Sequence, residues 1–141
     1  MLVRCLYASR TSTVNAELFD AILEQSRRNN PLRGITGVLC VGDNIFIQLL
    51  EGSRDEVCEL FNTIVRDSRH THVRILVFEE IAERRFANWS MGQVHISKVN
   101  PALLLKYSDK ATIDPFSCSG RATMALLEEL VATAAITGRQ S

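Results

Sequence analysis

Apolar and polar positions recur along this chain with two different periods. Residues 2–8 (LVRCLYA) read as a short strand, with Val3, Cys5 and Tyr7 on one face and Leu2, Leu6 and Ala8 sharing the other with Arg4. After an S-R-T-S-T loop a helical period runs from about Asn15 to Asn29, its apolar stripe made by Ala16, Leu18, Phe19, Ile22 and Leu23. Glu17 in its first turn and Arg27 and Arg28 in its last suit the helix dipole, and Pro31 makes continuation unfavourable. Two β-rich runs follow, 35–41 (ITGVLCV) and 44–50 (NIFIQLL), with Gly42-Asp43 between them as a hairpin signal. The next helix is the best marked: Ser53-x-x-Glu56 is a capping box, and Val57, Leu60, Phe61, Ile64 and Val65 follow the i, i+3, i+4, i+7, i+8 rule. Further strands are expected over 73–79 and from about Trp89 to Ile96.

The order β-α-β-β-α-β-β predicts an α+β fold of the ferredoxin-like, split β-α-β kind with an added strand. Its first β-α-β should be a right-handed crossover between parallel strands, with both helices on one face of the sheet. Leu39, Val41, Ile45, Ile47 and Leu49 are expected on the opposite face, which then needs its own cover. The Ala- and Leu-rich segment 122–136 supplies a helix for that purpose, reached through a connector at 97–120 with a short helix at 102–107. The division expected is a domain over 1–96 and a C-terminal helical extension over 97–141.

With 141 residues the chain can build one hydrophobic core. Sixteen basic residues balance sixteen acidic ones, which argues against nucleic-acid binding. No apolar run reaches the roughly 18 residues of a membrane span, and the N-terminus does not read as a signal peptide. A cytoplasmic protein is therefore expected. Cys5, Cys40, Cys58 and Cys118 form no C-x-x-C pair and read as free thiols.

Two polar residues stand out against the pattern. Gln48 alternates with Phe46 and Leu50, so its amide should face the helices and need hydrogen-bond partners there. Tyr7 shares a strand face with Val3 and Cys5, and its phenol has the same need. A ferredoxin-like order makes the first and third strands neighbours, where the two side chains can meet and line a site for a polar ligand. Taken alone, Gln48 also fits an amide satisfied by backbone, Asn29-Asn30 fits a helix C-terminus, and the charged tract 66–70 fits solvated surface. His70-x-His72 lacks the further ligands of a metal site. Phosphate loops, nucleophile elbows and paired carboxylates are missing, so nothing here suggests an enzyme.

Five segments recur in order and in register: LYASR (6–10), SRRNNPLRGITGVL (26–39), FIQLLEG (46–52), RDSRH (66–70) and RRFANWSM (84–91). Together they resemble the BLUF family of flavin-binding blue-light sensors over about Leu2 to Val94. The resemblance implies FAD held non-covalently, its isoalloxazine ring between the two helices. Tyr7 matches the family's photoactive tyrosine and Gln48 its switching glutamine. Asn30 matches the asparagine that bonds the flavin ring, with Asn29 and Ser26 at neighbouring polar positions. Asp67, Arg69 and His70 match a cluster near the ring's pyrimidine edge and ribityl side, and Trp89 and Met91 match a fifth-strand W-x-M pair. The implied function is a light-driven electron and proton transfer from Tyr7 that rearranges the Gln48 hydrogen bonds. The signal is expected to leave through the fifth strand and C-terminal helices to a partner protein or a homo-oligomer, because residues beyond 97 are too few for a second catalytic domain. The alternative is a light-independent interaction module with flavin as a structural ligand.

Overall fold

In the computed structural model, which describes residues 1–12, 16–133 and 136, five strands and four α-helices alternate. They are β1 (Leu2–Arg10), α1 (Ala16–Asn29), β2 (Thr36–Gly42), β3 (Ile45–Ser53), α2 (Arg54–Arg66), β4 (Thr71–Ile81), β5 (Gly92–His95), α3 (Pro101–Tyr107) and α4 (Gly120–Ala132). The sheet order is β4-β1-β3-β2-β5. β1 lies antiparallel to both β3 and β4, β2 antiparallel to β3, and β2 parallel to β5. β1 and β2 thus run in the same direction with β3 between them, which is the split β-α-β unit of a ferredoxin-like fold.

Local chemistry explains where the elements begin and end. Ser53 caps α2, its Oγ accepting from the Glu56 amide at 3.2 Å, as the capping box requires. Asn100 and Ser119 cap α3 and α4 in the same manner. The β2–β3 hairpin turns through Asp43-Asn44, one residue later than the sequence suggests, with Asn44 in the left-handed region at φ 58°. Asn tolerates that conformation because its short polar side chain bonds locally. Gly37 answers a different demand, for β2 passes so close to β3 that a Cβ here would lie 1.9 Å from the Leu49 carbonyl oxygen.

Two apolar layers flank the sheet. On one face α1 and α2 pack Phe19, Ile22, Leu23 and Val57 against Val3, Cys5, Tyr7, Leu39, Val41, Phe46 and Leu50. On the other, α3 and α4 bring Leu104, Met124, Leu126, Leu127 and Leu130 onto Leu6, Ala8, Val38, Cys40, Ile45, Ile47 and Leu49. The C-terminal helices are therefore the expected second cover. α4 begins two residues earlier than predicted and ends at Ala132; Ile136 is buried in the same layer, and residues 134 and 135 of the predicted helix lie outside the described residues.

The facing of Leu39 and Val41 corrects the sequence reading. The turn pairs Val41 with Phe46 and Leu39 with Gln48, so these β2 residues share the α1/α2 face, while Val38 and Cys40 join Leu49 and Ile47 opposite. Residues directly across a ladder share a face, and a two-residue turn reverses the odd-even parity from one strand to the next.

The α3/α4 face also holds a buried ion cluster. Glu51, with no exposed surface, pairs with Arg4 at 2.8 Å and accepts the backbone amides of Arg85 at 3.0 Å and Phe86 at 2.8 Å. Arg4 reaches Glu79 of β4 with its other amino group at 2.7 Å. One carboxylate thereby pins the chain between β4 and β5, on the way to Trp89 and Met91.

Candidate functional site

The polar residues predicted on the α1/α2 face converge. Tyr7 and Gln48 are direct partners across the β1–β3 ladder, and the Tyr7 hydroxyl donates to Gln48 Oε1. Gln48 Nε2 in turn points at the Met91 sulfur, 3.5 Å away. Tyr7 is wholly buried, and that burial pushes its phenol well above the ordinary range, with the Cys5 thiol and the Asp67 carboxylate pushing the same way. The phenol therefore stays protonated in the resting protein.

A cleft opens beside Gln48 between the ends of α1 and α2. Ile22, Leu60 and Ile64 give it apolar walls, and its polar lining includes Ser26, Asn29, Asn30, Gln48, Asp67, Arg69 and His70. Seven of the predicted site residues thus line one cleft, while Tyr7 and Met91 back it through their contacts with Gln48. Asn30 is only 1 % exposed and its Nδ2 has no hydrogen-bond partner among the described residues. Its backbone is fully used, since the carbonyl accepts from Arg33 and Ile35 and the amide donates to Ser26. A buried amide left with a free donor is costly unless a ligand completes it.

The charged tract after α2 is ordered rather than merely solvated. Asp67 and Arg69 form a multiply bonded ion pair, and Arg69 Nη2 reaches Gln25 of α1 at 2.9 Å, tying the two helices at the cleft rim. The hydrogen bond from Arg69 holds the Asp67 carboxyl below its usual range, and the same bond raises the Arg69 guanidinium. His70 turns inward, its Nδ1 2.8 Å from Ser9 Oγ and its ring 5.3 Å from that of Phe46. Burial lowers its pKa below the ordinary 6.5 and so favours the neutral imidazole. The four cysteines are free; burial pushes the Cys5 and Cys40 thiols up to about 12.

Trp89 and Met91 stand differently from their predicted place on the fifth strand. β5 begins only at Gly92, although the Trp89 carbonyl still accepts from the Gly37 amide at 3.0 Å. In a regular strand residues 89 and 91 would share a face. Here Trp89 packs in the α3/α4 layer and Met91 in the α1/α2 layer, so the chain leaves strand geometry between them. Met91 is thus the residue at Gln48.

Three contacts were not anticipated from the sequence. Ser9 could have been found by period 2, since it follows Tyr7 on the same face. Gln25 sits one turn before Asn29 on α1, and Arg27 Nε donates to the Met91 carbonyl at 3.1 Å. A last-turn arginine reads in sequence as a solvated complement to the helix dipole, so no local signal marks Arg27.

A polar-edged, apolar-walled cleft beside a tyrosine–glutamine pair fits a flat heteroaromatic ligand, and comparison with known proteins identifies the class. The family model described as sensors of blue-light using FAD matches residues 2–92, and the chain belongs to this BLUF family of flavin-binding photosensors. The photoactivated adenylate cyclase subunit beta of Euglena longa is 33% identical over 92 residues, covering 64% of this chain and 11% of that protein. The chain thus spans about a tenth of the length of such curated relatives. Among solved structures, BlsA in its photo-activated state is 33% identical with a TM-score of 0.82, covering 100% of this chain and 99% of that one. BlrB, a BLUF protein in its dark state, is 31% identical with a TM-score of 0.79, covering 94% and 96%.

Proposed function

We propose that this protein is a blue-light photoreceptor that binds FAD non-covalently in the α1/α2 cleft and reads light through Tyr7 and Gln48. The hydrogen-bonded chain Tyr7–Gln48–Met91 at the base of the cleft carries the reading. The unpaired Asn30 amide supports it, being a buried donor suited to a flavin carbonyl. Ser26, Asn29 and Gln25 offer further polar contacts on the α1 side. Asp67, Arg69 and His70 offer them on the α2 side. FAD supplies blue-light absorption and an acceptor for one electron and one proton.

With FAD bound, Tyr7 would be the group to supply the electron together with its phenolic proton, because burial disfavours loss of the proton alone. Return of both to Tyr7 would leave no net redox change. While Tyr7 is depleted, Gln48 Oε1 loses the donor that fixed it. The amide, which has both a donor and an acceptor end, regroups its bonds. Met91 loses its partner at Gln48 Nε2, and the chain from Trp89 to Met91 is released towards β5.

The output runs from there to α3 and α4 and then to a protein partner or a homo-oligomer. Gly92 supports this route, since a Cβ there would lie 2.6 Å from Ile136 and 2.8 Å from the Trp89 ring. Ile136 packs against the segment that moves. On this reading residues 1–96 form the sensor and 97–141 the transmitting extension, and no enzymatic reaction is assigned to the chain. No helix among the described residues is long and apolar enough to cross a membrane, and we place the protein in the cytoplasm.

Purified protein is expected to be yellow and to release FAD, rather than another flavin, on denaturation and chromatography. Blue light is expected to red-shift its absorbance reversibly, and Tyr7→Phe and Gln48→Leu to keep flavin but lose the shift. Colourless protein, or a shift that survives Gln48→Leu, would overturn the reading.

A further inference from the structure

Arg27 belongs to the last turn of α1, where a guanidinium would ordinarily extend into water. It does the opposite. Its Nε donates to the Met91 carbonyl at 3.1 Å, and its Nη2 is buried with no hydrogen-bond partner among the described residues. Nor does Arg27 join any carboxylate within ion-pair distance among the described residues. Arg27 is half-buried, and a guanidinium nitrogen that gives up water without a partner costs desolvation energy. The bond is set at the residue whose sulfur faces Gln48 Nε2.

The surroundings sharpen the point. Met91 has left strand geometry, so no regular ladder bond fixes it: the last pairing before it is Trp89 with Gly37, and the next is Gly92 with Val38. Glu51 pins the same stretch at Arg85 and Phe86, but six and five residues upstream. Between those anchors, Arg27 ties the Met91 backbone to the helix that walls the cleft. A charged donor on a carbonyl gives a stronger restraint than a neutral one, and a planar guanidinium holds its direction.

We propose that Arg27 is a positioning residue for the switch: by holding the Met91 carbonyl it keeps the Met91 sulfur against Gln48 and guides it back after light. The proposal rests on the photoreceptor reading above. Restoring the Met91–Gln48 contact is what dark recovery has to accomplish, and the Arg27 bond favours that arrangement. Removing the donor therefore slows recovery without abolishing the light-driven shift. The spare Nη2 leaves the guanidinium able to follow a moving carbonyl, which a donor already committed elsewhere could not do.

The test is a double-mutant cycle on the full chain loaded with flavin, read as the thermal decay of the red-shifted spectrum. Arg27→Met keeps the stem and removes the donors, and it is expected to slow recovery roughly fivefold, the kinetic equivalent of one net hydrogen bond. Arg27→Lys keeps charge and a donor, and should recover at a rate between wild type and Arg27→Met. In a Met91→Leu background, where there is no sulfur to place, Arg27→Met is expected to change the rate by less than about twofold. If Arg27→Met fails to hold flavin, Arg27→Leu, which likewise has no donor, carries the same comparison. A single-variant effect below about twofold, a faster recovery, or an equal slowing in the Met91→Leu background overturns the proposal. Wild-type protein without any light-induced shift would instead overturn the photoreceptor reading, so the two failures are distinct.

Discussion

The two faces of this sheet are built to different ends. The α3/α4 face is an apolar layer, mostly Leu, Ile, Val and Met with Phe86 and Trp89, and it holds a buried ion cluster in which Glu51 has a cation and two backbone amides. The α1/α2 face interrupts its apolar layer with Tyr7, Ser9, Asn30, Gln48 and His70, all buried, and leaves the Asn30 donor unsatisfied. The first face is what a stable core looks like. The second accepts polar burial that a stable core avoids, which is how strained or under-satisfied groups mark a working site. Strand β3 serves both, since alternate side chains go to opposite faces: Gln48 to the site, Ile47, Leu49 and Glu51 to the support.

Substitutions that separate the faces test this division. Glu51→Ala should have the largest effect, leaving Arg4 buried with its main partner gone and two amides unbonded. A loss of about 3–5 kcal/mol is expected by chemical denaturation. Leu127→Ala, in the same layer, should cost about 2–5 kcal/mol through the cavity it leaves. In protein that remains folded the light-driven shift should persist, and a variant that folds but has lost the shift would show the two faces to be less separable than described.

Asn30→Ala acts on the other face and should invert the pattern. It deletes a costly unpaired donor, so flavin-free protein should be no less stable to unfolding than wild type. Flavin affinity, measured by titration, should fall about tenfold as one buried bond is lost. Equal losses in both quantities would mean that Asn30 serves the fold rather than the ligand.

The smallest effect is one of pH. The folded-state pKa of His70 lies below its ordinary 6.5 because burial disfavours the imidazolium. Below pH 6.5 the unfolded chain then binds a proton that the folded one refuses. Stability should fall as the pH drops from about 6.5 towards the lowered value and flatten beneath it. Asp67, lowered by its bond to Arg69, gives a separate loss only as the pH falls below its ordinary 3.8. Urea unfolding at several pH values should show the first window shrink in His70→Gln while the second stays.

Much of this was legible in the chain. The capping box at Ser53, the 3.6-residue stripes of α1 and α2 and the alternation around Gln48 are local patterns, and local sterics and hydrogen bonding enforce them without distant help. The odd-even facing of β2 was legible too: a two-residue turn at either Gly42-Asp43 or Asp43-Asn44 pairs odd residues of β2 with even residues of β3, which puts Leu39 and Val41 on the face of Phe46 and Gln48. The motif residues named the family, and their order along the chain was enough for that.

What only the tertiary structure decided are the relations between segments far apart in sequence. Tyr7 and Gln48 are separated by 41 residues and meet because β1 and β3 pair in one register. Trp89 and Met91 look like same-face neighbours by period 2, yet they part to opposite layers, in a stretch bonded by Glu51 at one end and by Arg27 at the other and outside the regular strand. Arg27 itself has the sequence of a solvated helix end and the position of a clamp. A side chain's period follows from its own backbone, whereas its partner depends on how whole elements pack, and no single segment carries that information.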